Sequence, residues 1–346
     1  MRSLLCVCAL SLSTFACGGG EPEPQTPAQT PAPIETTPAP VASQAPSAPE
    51  KTEAEKKAEQ LAADRAKMTA DHDKEMARFT PELRAGVKTL ADKAYASPKA
   101  AWKAILASPH RQPDSAERDA QRHPQETLEF FGLKPTQQVL EYGPGGGWYT
   151  ELLAPFLAKK GKLSVTNGDP KGPKEERSTY YAERVALLLQ TAPELYGAVG
   201  VETIDGKAPK LTGSYDAILV MRGLHGMVNN DTLGAWLSAF HGALKPKGKL
   251  CIEQHRAAPN ADVKEASKKG YLPQEWVIAE IEKAGFKLEA KSEINANPKD
   301  TKDYPEGVWA LPPTLQRGDK DRAALAAIGE SDRMTLRFVK KEKLGF

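Results

Sequence analysis

Cysteine is nearly absent from this chain. Of its four cysteines, Cys6, Cys8 and Cys17 fall within the first 17 of 346 residues, and Cys251 stands alone after them. One thiol cannot build a disulfide framework, so the body of the protein must be held by its core. Cys251 lies in an apolar run and reads as a small core residue rather than a nucleophile. There is no H-E-x-x-H and no cysteine cluster, which argues against a zinc site. An excess of one charge is lacking too: 47 Lys+Arg face 45 Asp+Glu, and the longest basic runs (KKGK, KPKGK, KKEK) fall in turns or the tail. A balanced chain gives no electrostatic case for a nucleic-acid partner. No apolar run reaches the length of a membrane-spanning helix, and no internal repeat is visible.

The opening MRSLLCVCALSLSTFAC carries one positive charge, Arg2, then an apolar run and small residues before Cys17. This reads as a secretory signal. The Cys17-Gly18-Gly19-Gly20 junction resembles a bacterial lipoprotein cleavage site, although Thr14 stands where such sites usually carry leucine. The resemblance implies export, with a lipid on Cys17 anchoring the protein at the periplasmic face of a bacterial membrane. Plain secretion is the alternative. Residues 18–50 are rich in Pro, Ala, Thr, Gln and Glu, a composition that cannot bury a core and suits a disordered tether. Residues 51–79 are charged helix formers with sparse apolar positions, a solvated helical spacer. Residues 80–134 form a helical prelude broken by prolines. Its dense charges (Arg111, Asp114, Arg118, Asp119, Arg122, His123) suit either a surface helix or a lid. A short helix over 127–132 should close at Gly132, with Phe130 and Phe131 toward the core.

The α/β domain is expected over 135–346 and is organised around VLEYGPGGGWYTELL, Val139 to Leu153. A short apolar run ends in Glu141, glycines follow, and a helical pattern begins at Trp148. That order is strand, glycine-rich turn, helix, the place where open α/β sheets bind small ligands. The spacing is acid-x-G-x-G-x-G: Glu141, Gly143, Gly145, Gly147. A dinucleotide fingerprint in this register would put Trp148 at the third glycine, and no lysine follows to make a P-loop. Pro155 should kink or end the helix. Further strands are expected at Lys162–Thr166, Val199–Ile204, Asp216–Met221, Leu250–Gln254, Phe286–Ile294 and Arg333–Lys340. Helices fall between them at Tyr180–Gln190, from a cap at Asn230 or Asp231 to Leu244, and at Glu275–Ala284. The alternation means a mostly parallel sheet covered on both faces. The long proline-rich segment from Asn295 to Asp332 is too polar for core, but Tyr304, Trp309 and Leu311 argue that it is ordered.

Three features in order, EYGPGGG, LKPKGKL and KAGFKLEAKSEI, resemble the class I S-adenosylmethionine-dependent methyltransferase fold. The resemblance implies a Rossmann-like sheet of seven strands, one of them antiparallel, with helices on both faces. RHPQETLEFFGL, GGGWYTELLAP, EQHRA and the KSEINANPKDTKDYPEGVWALPP loop also resemble a bacterial group of predicted methyltransferases, which supplies no substrate. By the resemblance, Glu141 and the backbone of Gly143, Gly145, Gly146 and Gly147 face the methionine part of S-adenosylmethionine. Asp169 stands where the fold places the acid for the ribose hydroxyls, and Asp205 where an acid meets the adenine amino group. The usual Gly-Gly before the fifth strand is Lys247-Gly248, and no N-P-P-[YF] follows the fourth, against a nucleic-acid amine methylase. Methyl transfer from a sulfonium needs alignment and a deprotonated nucleophile. His225 and His255 are the candidate bases. Arg222, Glu253 and Arg256 are candidates to hold the small-molecule acceptor, an anion on either arginine. Two readings compete: a tethered binding protein without turnover, favoured by the export signal, and a nicotinamide-dependent enzyme, disfavoured by Trp148.

Overall fold

The computed structural model describes residues 51–204 and 209–342. The signal and tether readings, with Cys17, and the adenine acid Asp205 lie outside the described residues. The chain from Lys51 onward forms one compact unit.

Five helices precede the sheet: α1 (Glu53–Arg78), α2 (Pro81–Asp92), α3 (Pro98–Leu106), α4 (Asp119–Arg122) and α5 (Pro124–Phe131). Then come β1 (Gln138–Tyr142), α6 (Thr150–Leu157), β2 (Lys162–Asn167), α7 (Arg177–Thr191), α8 (Pro193–Tyr196), β3 (Gly200–Thr203) and β4 (Tyr215–Met221). The remainder is α9 (Leu224–Asn229), α10 (Leu233–Ala243), β5 (Leu244–His255), α11 (Val263–Lys268), α12 (Gln274–Lys283), β6 (Phe286–Ser292), α13 (Arg322–Ile328) and β7 (Arg333–Lys340). The strands form one seven-stranded sheet in the order β3-β2-β1-β4-β5-β7-β6. β7 runs antiparallel to both β5 and β6, and the other pairs are parallel.

Successive side chains of a strand point to opposite faces. Here that alternation divides the core in two. Val139, Ala217, Leu219 and Met221 join the cluster under α2, α3, α5 and α6. Leu140, Ile218 and Val220 join the cluster under α10 and α12. Burial on both faces is why these strands read as unbroken apolar runs. Cys251 is fully buried, and burial pushes its thiol pKa up, so it is the core residue its flanks suggested.

Several local expectations change. Pro155 does not end α6, which continues to Leu157. Proline removes the amide that would bond the carbonyl of Glu151. The His110 ring takes that carbonyl instead, with Nε2 at 2.8 Å, while its Nδ1 meets the Ser108 hydroxyl at 2.8 Å. Burial lowers the His110 pKa to about 4, so the ring is neutral and Nε2–H is the donor. Neither Asn230 nor Asp231 caps α10. Asp231 is left-handed at φ 53°, Thr232 takes the cap position, and RGLHGM contributes the extra helix α9. β5 starts at Leu244 and absorbs the KPKGK turn as an irregularity opposite Tyr215–Ala217. Lys247 there has φ 61°, the conformation a glycine would take without strain.

The segment read as a spacer, 51–79, is a single helix, α1. It is mostly exposed, but it is tied to the domain: Arg65 pairs with Glu183 of α7 and donates to the Lys174 carbonyl, and Asp64 pairs with Arg177. α5 closes at Gly132 (φ 73°), with Phe131 buried and Phe130 half-buried. The long segment before β7 is ordered around Tyr304, Ala310, Leu311 and Leu325. No described helix is long and apolar enough to cross a membrane.

Candidate active site at the carboxyl ends of β1, β4 and β5

The strand order reverses between β1 and β4: from β1 the chain goes to β2 on one side and returns to β4 on the other. Such a reversal opens a crevice at the carboxyl ends of the strands. The glycine turn follows β1, and Arg222 and His225 follow β4, so both sides of this crevice carry residues singled out in the sequence.

Gly143, Gly145 and Gly147 have φ of 57°, 60° and 85°, a region that disfavours any side chain. The turn has two sides. A Cβ at Gly146 would lie 2.5 Å from Arg184 Nη2, and one at Gly147 would lie 2.3 Å from Leu188 Cδ2, so these two pack on α7. A Cβ at Gly143 would meet nothing within 4 Å, and one at Gly145 only the Gly143 carbonyl at 4.0 Å. Bare main chain therefore faces open space. The turn is pinned to β2, because the Gly143 amide donates to Thr166 Oγ1 at 2.8 Å.

Glu141 is buried and accepts from Thr150 Oγ1 at 2.7 Å, in the first turn of α6. Burial raises its pKa to about 7, with Thr150 and the charge of Arg222 pulling the other way. Asp169 lies two residues beyond β2 and is exposed. It closes its own turn by accepting from the Lys171 amide at 2.8 Å.

The charged stretch before α5 is not a free surface helix; it packs against the glycine turn, as a lid would. Arg111 is buried between Glu151 (3.1 Å) and Asp119 (2.5 and 2.8 Å), and Gln112 donates to the Gly146 carbonyl at 3.3 Å. Trp148 is buried under this cover. Its Nε1 donates to the Ser115 carbonyl at 3.2 Å, and the Arg122 guanidinium sits 4.9 Å from its ring centre. In the sequence Trp148 marked the start of a helical pattern and spoke against a dinucleotide fold. The structure makes it the post on which the cover rests.

At the ends of β4 and β5 the candidates separate. Glu253 is fully buried and does not face an acceptor. It accepts from the Tyr149 hydroxyl at 2.6 Å and pairs with Arg333 Nε at 2.9 Å, close but not aligned as a hydrogen bond. Tyr149 consequently keeps its proton far above the ordinary tyrosine range, through burial first and the Glu253 charge second. Arg256 is also committed. It binds Asp332 (2.8 and 3.1 Å), Glu293 (2.7 and 3.0 Å) and Gln274 (3.1 Å), clamping the end of β5 to the segment before β7.

His225, Arg222, His255 and Trp309 are each partly exposed. The His225 ring centre lies 6.0 Å from those of both His255 and Trp309. Burial lowers both histidine pKa values, His255 the further, so both rings are neutral at pH 7. A neutral imidazole can accept a proton, though a strongly lowered pKa weakens it as a base. His255 Nδ1 meets the Ser331 hydroxyl at 2.5 Å, and His225 Nδ1 faces the Gln254 amide nitrogen at 3.4 Å. Arg122, named in the sequence only as part of a charged helix or lid, completes this region with Tyr149, Glu330 and Arg333, which were not found from sequence, since nothing local distinguishes an arginine bound for the interior. No described group of His, Cys, Asp and Glu could hold a metal ion.

Two cavities of about 650 Å³ lie elsewhere. One, between α10 and α12, is at the end where the parallel strands begin; the other lies between α1 and α7 and touches only Gly146 of the turn.

A family profile for a methyltransferase domain matches residues 116–288, half of the chain. No curated protein matches it. Among solved structures, a SAM-dependent methyltransferase from Aquifex aeolicus is 17% identical at a TM-score of 0.41, over 71% of this chain and 100% of that one. The N-methyltransferase NodS from Bradyrhizobium japonicum, in complex with S-adenosyl-L-homocysteine, is 14% identical at 0.40, over 71% and 99%. An O-methyltransferase family protein from Burkholderia thailandensis is 14% identical at 0.39, over 71% and 61%. With the profile spanning the prelude's end, the glycine turn and every parallel strand, this chain belongs to the methyltransferase-domain family.

Proposed function

We propose that this protein transfers a methyl group from S-adenosylmethionine to a small molecule in the crevice between β1 and β4. The observation that carries this is the two-sided glycine turn: Gly146 and Gly147 packed on α7, Gly143 and Gly145 open. Open glycines at the end of β1 fit a ligand lying on main chain. Glu141 and the turn would hold the methionine part, and Asp169 the ribose. When bound, S-adenosylmethionine supplies a methyl group on a sulfonium that is its own leaving group. The protein's share is to align the acceptor, exclude water and take a proton where the acceptor carries one. His225 and His255 are the groups at hand for that proton.

Titration with S-adenosylhomocysteine tests the reading. Asp169 is exposed, so Asp169→Ala should fold normally. It should weaken binding about tenfold or more, the size of a charged hydrogen bond. No binding by the wild type, or binding indifferent to Asp169→Ala, would remove methyl transfer.

The domain order we propose is a signal over 1–17, a tether over 18–50, the helical spacer and prelude, and the α/β domain from 135. A lipid on Cys17 would hold the protein to a bacterial membrane on its periplasmic face. An unchanged detergent-phase distribution for Cys17→Ser would sink the anchor. The export signal also supports a second reading, a tethered protein that binds the nucleoside without turnover. Binding of S-adenosylhomocysteine with no transfer of labelled methyl to any small-molecule extract would favour it.

A further inference from the structure

Buried charge at the carboxyl ends of β4 and β5 balances except for one arginine. Arg333 lies between Glu253 (2.9 Å) and Glu330 (2.5 Å), and Arg122 holds Glu330 from its other side (2.7 Å). Two cations and two anions cancel there. Arg222 is the surplus. Its Nη1 is 3.7 Å from Glu253, beyond hydrogen-bond reach, and that atom is buried without a hydrogen-bond partner. The residue is held in a strained conformation, φ 59°, by its amide bonding the Glu253 carbonyl at 2.6 Å. About a fifth of the side chain remains exposed (21%), although Nη1 itself is buried. Arg256, the other candidate for an anion, is saturated by two carboxylates and an amide.

The neighbours offer the ligand little negative charge. His225 and His255 are neutral, and Glu141 is only half ionised at neutral pH. The amide nitrogen of Gln254 lies 3.4 Å from His225 Nδ1, and the neutral imidazole carries one N–H that can donate to a ligand. The Trp309 indole lies 6.0 Å from His225, with the two rings steeply inclined to each other at 72°. A guanidinium whose nearest carboxylate, Glu253 at 3.7 Å, is shared with Arg333, together with a ring N–H and a nearby indole, suits a planar acid, because arginine binds carboxylates through two parallel bonds.

We propose that Arg222, with His225 and Trp309, receives the carboxylate of a small planar acid, and that this acid is the methyl acceptor. Only its role as acceptor rests on the methyl-transfer reading; the preference for an anion belongs to these residues alone. The methionine carboxylate of the cofactor has the same chemistry, and the test separates the two sources.

The test is calorimetric titration of the full chain with 4-hydroxybenzoate and its neutral match 4-hydroxybenzamide, with and without S-adenosylhomocysteine. The wild type should bind the acid at least tenfold more tightly than the amide. Arg222→Gln should erase that preference and leave S-adenosylhomocysteine affinity within about threefold, and Arg222→Lys should keep part of the preference. No preference in the wild type, or one surviving in Arg222→Gln, overturns the proposal. So does a tenfold loss of S-adenosylhomocysteine affinity in Arg222→Gln, which would give the arginine to the cofactor. If Arg222→Gln does not fold, phenylglyoxal labelling of the wild type replaces it: the acid and not the amide should protect Arg222, and equal labelling overturns the claim. An anion preference in a protein that fails to bind S-adenosylhomocysteine would keep this site and remove methyl transfer.

Discussion

Replacing Glu141 with glutamine should stabilise the protein in alkali and leave it unchanged in acid. Glu141 is buried, its one hydrogen-bond donor among the described residues is the Thr150 hydroxyl, and burial raises its pKa from 4.5 to about 7. Between those values the unfolded chain has released the proton while the folded protein keeps it. Folding therefore takes up a proton, and stability falls as the pH rises through this window. Above about pH 7 the penalty is constant, and below about pH 4.5 it is gone. Each pKa unit is worth about 1.4 kcal/mol, so the full penalty is about 3 kcal/mol. Glutamine has nearly the same shape, carries no charge, and its carbonyl can accept the Thr150 hydroxyl. Urea denaturation should show Glu141→Gln more stable than wild type by about 3 kcal/mol at pH 8.5, the two converging at pH 4.5. The same variant should bind S-adenosylhomocysteine more weakly, because the methionine part loses its carboxylate; sites of this kind commonly trade stability for binding. A variant destabilised at pH 8.5, or one whose gain is equal at both pH values, would refute the reasoning.

Two further predictions follow from packing. Gly147→Ala puts a methyl 2.3 Å from Leu188 at a positive φ, whereas Gly143→Ala meets only strain. The first should lose about 3 kcal/mol and the second about 1 kcal/mol by denaturation, and equal losses would deny that the turn has a packed side and an open side. His110→Ala leaves the Glu151 carbonyl without its donor and should destabilise by about 2 kcal/mol. In a Pro155→Ala background the helix amide returns and the loss should shrink by about 1 kcal/mol; additive effects in that double-mutant cycle would show that the two residues are independent.

Much of the sheet was legible because unbroken apolar runs and glycine punctuation are local. Arg333–Lys340 is a strand with the limits read from its pattern, and Gly132 ends α5 as expected. The failures were where a distant group intervened. Pro155 continues its helix because His110, forty-five residues earlier, takes the freed carbonyl. α9 forms in a short, glycine-bearing stretch to which the sequence assigned no element, with the Leu224 amide held by Gln254 at 3.2 Å. Asp169 was placed correctly as lying past its strand, but its turn with Lys171 is visible only in three dimensions.

Sequence by itself determined the architecture of the domain and the position of the glycine turn, since backbone freedom and apolar spacing act over a few residues. It also brought Arg222, Glu253, His255 and Arg256 to strand ends, but gave all of them the same standing. Only the tertiary structure decided among them. Arg333, from the start of β7, pairs with Glu253, and Asp332 just before it pairs with Arg256, while Arg222 is left with no carboxylate of its own. Charge pairing is set by whichever side chains the fold brings within a few ångströms, and the partners here come from about eighty residues along the chain.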